Sequence, residues 1–583
     1  MSKLVLVCLR NSSLSQRAAT HRQLTGFLEE LRPDNLEAAP AVIAEDGSGV
    51  LLGLFNPTGA DTLHGCNAYS GWLARPRECW WRMGTPAPEG TFALARSDEH
   101  CIELLADYVG SRTLWFTQTD TLFIASMSQR AIVRFLGSFE PNPSALAWML
   151  SSGCIGPGES WDRRIHSLRP GAMLRLQRKT WRMTVHEPPV ELTPASREAL
   201  PEAVHHTHLR EALDETVGGL KFDWSRWVLP LSGGHDSRTL LLWLRRNEHL
   251  RCVTWGTARA LEIKGSDACV AREVAARLGV THQYFELEAD EAPQRVLERF
   301  LLAGEGRVDH ISGYMDGFDL WSRLARAGVT GMVRGDQPFG HSAVRDQGEA
   351  RFRVGLTLWA DYENLPAAAA LGLGHLGQRL PAALAPRAGE APEDFRDRLH
   401  HVFRTPTVYG ALNEIKCAYM ETASPLFLPA IVRLARSHPA PLRTAKALFK
   451  RVAAERKLPV RIADDIAIES PEAISSRPAF TELILDEIAS AHTRELLSTD
   501  LVAFIARGMT RRAAKPSWRK SPLAQHAKQF LPSWIRKAVA PRFDGRTLAA
   551  ARLGLRTYLI AKMTQRLALD ARDGGRALLS RAS

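Results

Sequence analysis

The stretch whose residue types and spacing best suit chemistry is Ser232-Gly233-Gly234-His235-Asp236-Ser237, preceded by Pro230-Leu231 and followed by Arg238. Two adjacent glycines let the backbone close on a ligand without a Cβ in the way. A helix starting just beyond them presents unpaired N–H groups and the positive end of its dipole, which together favour an anion. Ser232 and Ser237 add hydroxyl donors. Asp236 suits a phosphate neighbourhood only with a cation between, and magnesium held by a carboxylate and substrate phosphates supplies one. The run from Leu231 to Ser237 therefore has the parts of a nucleotide-phosphate site. It is not a Walker A loop, since it lacks the G-x-x-x-x-G-K-[ST] pattern. The alternative is an ordinary strand-to-helix turn with Asp236 or Ser237 as N-cap.

The flanking segments supply the elements that must position this turn. Trp227-Val228-Leu229 reads as a strand, and Thr239 to Leu244 continues as a helix. Cys252-Val253-Thr254-Trp255-Gly256 reads as a second buried strand. Ser266 to Leu278 has helical apolar spacing with Gly279 as its C-cap, and Val280 to Phe285 reads as a third strand. This alternation predicts a parallel sheet flanked by helices, with ligands at the carboxyl ends of the strands.

The run resembles the S-G-G-x-D-S loop of the N-type ATP pyrophosphatases, and within them the asparagine synthetase-like enzymes. That resemblance implies ATP and Mg2+ as cofactors. It places Trp255 and Gly256 beside the adenine and ribose, and Asp236 on a metal. Met332-Val333-Arg334-Gly335-Asp336-Gln337-Pro338-Phe339-Gly340 is similar to the family's G-E-G-x-D-E-L-F-G segment, which contacts pyrophosphate and carries a second magnesium ligand. Asp336 falls on that ligand, with Arg334 and Gly335 against the pyrophosphate. Met332 and Arg334 replace two family glycines. Tyr419 to Leu428 resembles the E-A-R-x-P-F-L-D stretch, which makes Glu421 the candidate partner of a tyrosine in deprotonating an attacking amine; Tyr409 and Tyr419 are the nearest tyrosines. Lys446 to Pro459 resembles the K-x-x-L-R helix and its Leu-Pro turn. The lysine that normally follows is absent from Val460-Arg461-Ile462-Ala463-Asp464-Asp465, leaving Arg461, Lys450 or Lys457 as substitutes.

Residues up to about 190 resemble a class II glutamine amidotransferase (Ntn) domain. Glu89–Leu94, Leu104–Phe116 and Phe123–Ser126 read as successive strands, and Leu168-Arg169-Pro170-Gly171 resembles the domain's closing L-x-P-G segment. Those enzymes use a cysteine at residue 2, whose thiolate attacks glutamine. Here residue 2 is serine, and the first cysteine, Cys8, lies in the first strand. The glutamine-binding N-G-E-I-Y-N segment is replaced by Leu51–Pro57. The expectation is a retained scaffold without glutaminase chemistry, Ser2 being the one nucleophile left open. Without released ammonia the amine must come from the substrate itself. The resemblance is then greatest to lasso peptide cyclases, which adenylate a side-chain carboxylate of a precursor peptide and close a macrolactam with its α-amine. Such an enzyme implies a precursor peptide as substrate and a leader peptidase or leader-binding partner. An asparagine synthetase using glutamine or ammonia, or a silent peptide-binding relative, are the alternatives.

The predicted fold class is α/β plus a β-rich N-terminal domain: a four-layer, degenerate amidotransferase-like domain over 1–190, an adenine nucleotide α-hydrolase-like synthetase domain over 200–490, and a helical, basic extension of that domain over 491–583. Glu187-Pro188-Pro189 marks the linker, and Leu365 to Glu393 an insertion. The eight cysteines (8, 66, 79, 101, 154, 252, 269 and 417) form no C-x-x-C pair, which argues against zinc or a disulfide framework and for a reducing cytoplasm. No apolar run reaches membrane-spanning length. The net charge of +12 is uneven: Leu501 to Phe543 holds no acid but ten lysines and arginines, with Trp518 and Trp534 among them. Such a stretch suits an acidic leader peptide, a partner enzyme or anionic lipid, or is a solvated face. No nucleic-acid module is recognisable, and peripheral membrane contact is left open.

Overall fold

The computed structural model describes residues 3–57, 62–75, 79–192, 200–288, 292–365, 378–513 and 547–582. The N-terminal unit is built from two antiparallel six-stranded sheets. In the first, Lys3–Leu9 lies centrally between Val50–Phe55 and Leu122–Ser126. Its alternation explains its place: Leu4, Leu6 and Cys8 join the core between the sheets, whereas Val5 and Val7 face helices Leu14–Glu30 and Gln129–Leu136. In the second sheet, Glu89–Ser97 lies between Asn67–Arg75 and Cys101–Ala106. The expected four layers are not reproduced as such. Helices cover the first sheet, while strands Asn67–Arg75 and Glu89–Ser97 of the second meet the rest of the chain.

The second unit carries a five-stranded parallel sheet. Its strands are β1 (Trp227–Pro230), β2 (Arg251–Gly256), β3 (Thr281–Glu286), β4 (Gly331–Val333) and β5 (Glu421–Ala423), in spatial order β3-β2-β1-β4-β5. Helices α1 (His235–Leu244) and α2 (Asp267–Leu278) follow β1 and β2. The capping signals act as read: the Ser266 hydroxyl accepts from the Cys269 N–H, and Gly279 ends α2 with a left-handed φ of 65°. α3 (Ala447–Ala454) packs on α1.

The long final helix is α4 (Ala550–Ala582). It lies against the N-terminal unit's helices Leu14–Glu30, Gln129–Leu136 and Pro143–Ser152, as well as Pro478–Ile488 and Thr499–Ala513. Buried ion pairs fix it at both ends: Arg130 with Asp570 at 2.7 Å, and Asp309 with Arg552 and Arg556 at 2.8 and 2.7 Å. Most of the basic 501–543 segment, with Trp518 and Trp534, lies outside the described residues, as does Ser2. Among the described residues no helix is long and apolar enough to cross a membrane.

Candidate active site

β1 ends at Pro230, and Leu231 still donates its N–H to the Val253 carbonyl (2.8 Å). The chain then turns. The Ser232 N–H donates to Ser237 Oγ (3.0 Å), the Gly234 N–H to Ser232 Oγ (3.2 Å), and the Gly233 N–H to Asp267 Oδ1 (3.0 Å). The two serines thus brace the turn from inside. The N-cap of α1 is Gly234, with no side-chain cap, rather than Asp236 or Ser237. The first-turn N–H groups therefore have no capping side chain and are available to an anion.

Two glycines are required by close approach. A Cβ on Gly233 would lie 2.4 Å from the Ala463 Cβ, because the 460–465 loop folds onto the turn. Arg238 holds that loop, donating to the Val460 and Arg461 carbonyls at 2.6 Å each. A Cβ on Gly335 would lie 2.9 Å from the Ser237 nitrogen and 3.1 Å from the Asp236 carbonyl carbon. Gly335 thus lets the chain beyond β4 abut the start of α1.

The two carboxylates are held differently. Lys446 Nζ donates to both oxygens of Asp236, at 2.8 and 2.6 Å, and both side chains are partly exposed. Lys446 precedes α3 with φ 58°, after Ala445 at φ 54°. Left-handed backbone at two successive non-glycine residues is strained, a cost that concentrates at functional sites. Asp336 is instead gripped by Arg334 Nε and Nη2, at 3.0 Å each, with Asn413 Nδ2 (3.3 Å) and Ser424 Oγ (3.2 Å) also donating to Oδ2. Burial opposes ionisation of Asp336, but Arg334 holds its carboxyl below the ordinary range. As a test of metal fit, Asp236 qualifies: its one partner among the described residues is a partly exposed, rotatable ammonium. Asp336 does not, because Oδ2 already accepts three donors and a guanidinium spans both oxygens. The two expected ligands thus differ in what already occupies their oxygens.

Trp255, at the carboxyl end of β2, meets Trp321 edge-on at 5.1 Å. Gly256 passes so close to the Ala467 carbonyl that a Cβ would lie 2.4 Å from it.

Glu421 is not placed as an amine base. It starts β5 opposite Gly331, at the amino end of the sheet, fully buried, with Oε1 accepting from Arg112 Nη2 (2.5 Å). Neither tyrosine pairs with it: the Tyr419 hydroxyl donates to Asn35 Oδ1 (2.6 Å), and Tyr409 packs against His400 and Phe427. Arg461 points away, donating to the Lys264 carbonyl (3.1 Å). Lys450 sits one turn along α3 from Lys446, lining a basic cavity with His235, Arg238 and Lys457 on the outer side of the turn. The residue sequence reasoning missed is Lys446 itself. Its only signal was the lysine opening the K-x-x-L-R resemblance; its reach to Asp236 depends on the strained approach to α3.

Four buried cysteines are held as thiols. Burial pushes the Cys8 thiol up to about 11, and those of Cys66, Cys252 and Cys417 up to about 12. Among the described residues no three His, Cys, Asp or Glu side chains form a metal cluster. No curated protein matches the chain. Residues 208–336, which hold the Ser232–Ser237 turn, Trp255–Gly256 and Arg334–Asp336, match the asparagine synthase family model, which supports an asparagine synthetase-like unit.

Proposed function

We propose that this chain is an ATP-dependent, AMP-forming amide ligase that joins a side-chain carboxylate of a precursor peptide to the same peptide's α-amine, closing a macrolactam as lasso peptide cyclases do. The observation that carries the ligase reading is the meeting of the ends of β1 and β4 at the start of α1. There the uncapped start of α1, the Asp236–Lys446 pair and the close-packed Gly335 form a place suited to polyphosphate. The asparagine synthase match of the same stretch supports ATP as its occupant.

A peptide substrate, rather than a free amino acid, is favoured by a cavity of about 300 Å3 between the N-terminal unit and the 381–407 segment. Pro157, Pro170, Pro188 and Pro406 line it, with Thr113 and Arg307 at its polar end. Those two residues hold Glu414, whose neighbour Asn413 donates to Asp336. The cavity is thereby linked to the phosphate end of the site.

In this reading the peptide carboxylate attacks the α-phosphorus of ATP and pyrophosphate leaves. The first-turn N–H groups of α1 and the Ser232 and Ser237 hydroxyls receive the departing charge. Lys446 and Arg334 add positive charge where it develops. A magnesium ion, when bound, would be held by Asp236 and would offset phosphate charge. The α-amine then attacks the acyl-adenylate, forming the amide and releasing AMP; holding both ends of one peptide together removes much of the entropic barrier. A separate peptidase must first free the amine.

The test is AMP and pyrophosphate release from ATP with a candidate precursor peptide, together with a product lighter by one water. Asp236→Ala is expected to lower the rate at least ~100-fold. Asparagine formed from aspartate would replace the cyclase reading with that of an amino-acid ligase. Absence of AMP with every acceptor would leave a binding protein.

A further inference from the structure

We infer that Asp336 holds no divalent ion, its carboxylate being occupied by Arg334, so that a single ion, held by Asp236, serves the nucleotide. The inference rests on the ATP reading above and specifies its cation count. Four observations carry it. Gly335, between Arg334 and Asp336, packs against Asp236 and Ser237 at the start of α1. The Arg334 guanidinium spans both oxygens of Asp336, at 3.0 Å each, in the fork geometry that gives a planar cation its hold on a carboxylate. Asn413 and Ser424 occupy what remains of Oδ2. Asp236, in contrast, bears among the described residues only the ammonium of Lys446, a flexible point charge that can swing from carboxylate to phosphate.

The electrostatics agree. A divalent ion on Asp336 would have to sit against the guanidinium, in a largely buried place where charges are weakly screened. With the pair intact, Asp336 orients Arg334 and both of its own oxygens are taken. Asp336 is then a positioning residue for an arginine and not a metal ligand.

The experiment counts Mn2+ by electron paramagnetic resonance on the full-length protein saturated with α,β-methylene-ATP. One tightly bound Mn2+ per chain is expected for the unaltered protein, and one, with unchanged affinity, for Asp336→Asn. Asp236→Asn is expected to weaken that ion at least tenfold. Arg334→Gly, with Asp336 intact, is expected to admit a second. Two ions in the unaltered protein, or loss of one in Asp336→Asn, would overturn the inference while leaving the ATP reading standing. Failure of the unaltered protein to bind the nucleotide at all would overturn both. Asp336→Asn conserves shape, so the count does not depend on Arg334→Gly folding.

Discussion

At the scale of single residues, two ion pairs of similar geometry have different consequences. Lys446–Asp236 is partly exposed, and such pairs contribute about 0–1 kcal/mol to stability. Lys446→Ala should therefore leave the urea midpoint nearly unchanged while slowing AMP formation by ~100-fold, as loss of a preorganised charge does. An equal loss of stability and rate would show Lys446 to be structural. Arg112–Glu421 is buried, so removing one partner strands the other charge, at a cost of about 3–5 kcal/mol. Arg112→Leu should unfold at markedly lower urea, and the double variant Arg112→Leu with Glu421→Leu should recover most of the loss. Recovery of folding without loss of AMP formation would confirm that Glu421 holds the two units together and is no base. The sequence pattern could not separate these roles, because Arg112 lies on the other unit.

At the scale of elements, the stretch His400–Tyr409 is wound as a π-helix with Pro406 inside it, a form that recurs beside functional sites. His400 Nε2 lies 3.1 Å from the Gln337 carbonyl, one residue beyond Asp336, and its Nδ1 lies 2.8 Å from His341 Nε2. Both rings are accommodated as neutral: His400 donates to the carbonyl and His341 donates to His400. Burial, then the nearby Arg404, Lys446, Arg396 and Arg353, lower His341 to about 3. Burial and the adjacent histidines hold His400 well below the ordinary range. The unfolded state therefore takes up protons that the folded state refuses. The stabilising contribution is complete above pH ~6.5 and is lost as pH falls from there toward the folded values. Urea unfolding at pH 5.5 should show each ring costing roughly 1 kcal/mol relative to pH 7.5. The double variant His341→Asn with His400→Gln should flatten that slope. A slope unchanged in the variant would place the acid sensitivity elsewhere.

At the scale of the whole molecule, α4 ties the C-terminal region to the N-terminal unit. Leu555, Leu559, Ile560, Met563 and Leu567 are buried along it, each such side chain being worth about 1.5–3 kcal/mol. Asp309 receives both Arg552 and Arg556; burial opposes its ionisation, but the arginines hold it well below the usual carboxylate range. A chain ending at residue 548 should lose cooperative melting and expose the 129–152 helices to limited proteolysis. Retention of the full-length melting temperature would refute the clamp. Among the described residues, this end of the chain is bound by apolar packing from Leu548 onward together with the buried pairs of Arg552, Arg556 and Asp570.

The chain's own residue order determined what is local. The Ser-Gly-Gly turn between an apolar strand and a helix, the Ser266 cap, the Gly279 stop and the short strands of the first third depend on steric freedom and on periodicities of two and 3.6. Each is visible within a dozen residues. What the tertiary structure alone decided is which charges meet. Lys446 reaches Asp236 only because two left-handed residues lead into α3. Asp336 is closed off by Asn413 and Ser424, which come from distant segments. Glu421 is taken by Arg112 because the two units pack sheet to sheet. Ion pairing acts through space over a few ångströms and leaves no periodic trace along the chain, so candidate ligands can be counted in a sequence but their partners cannot.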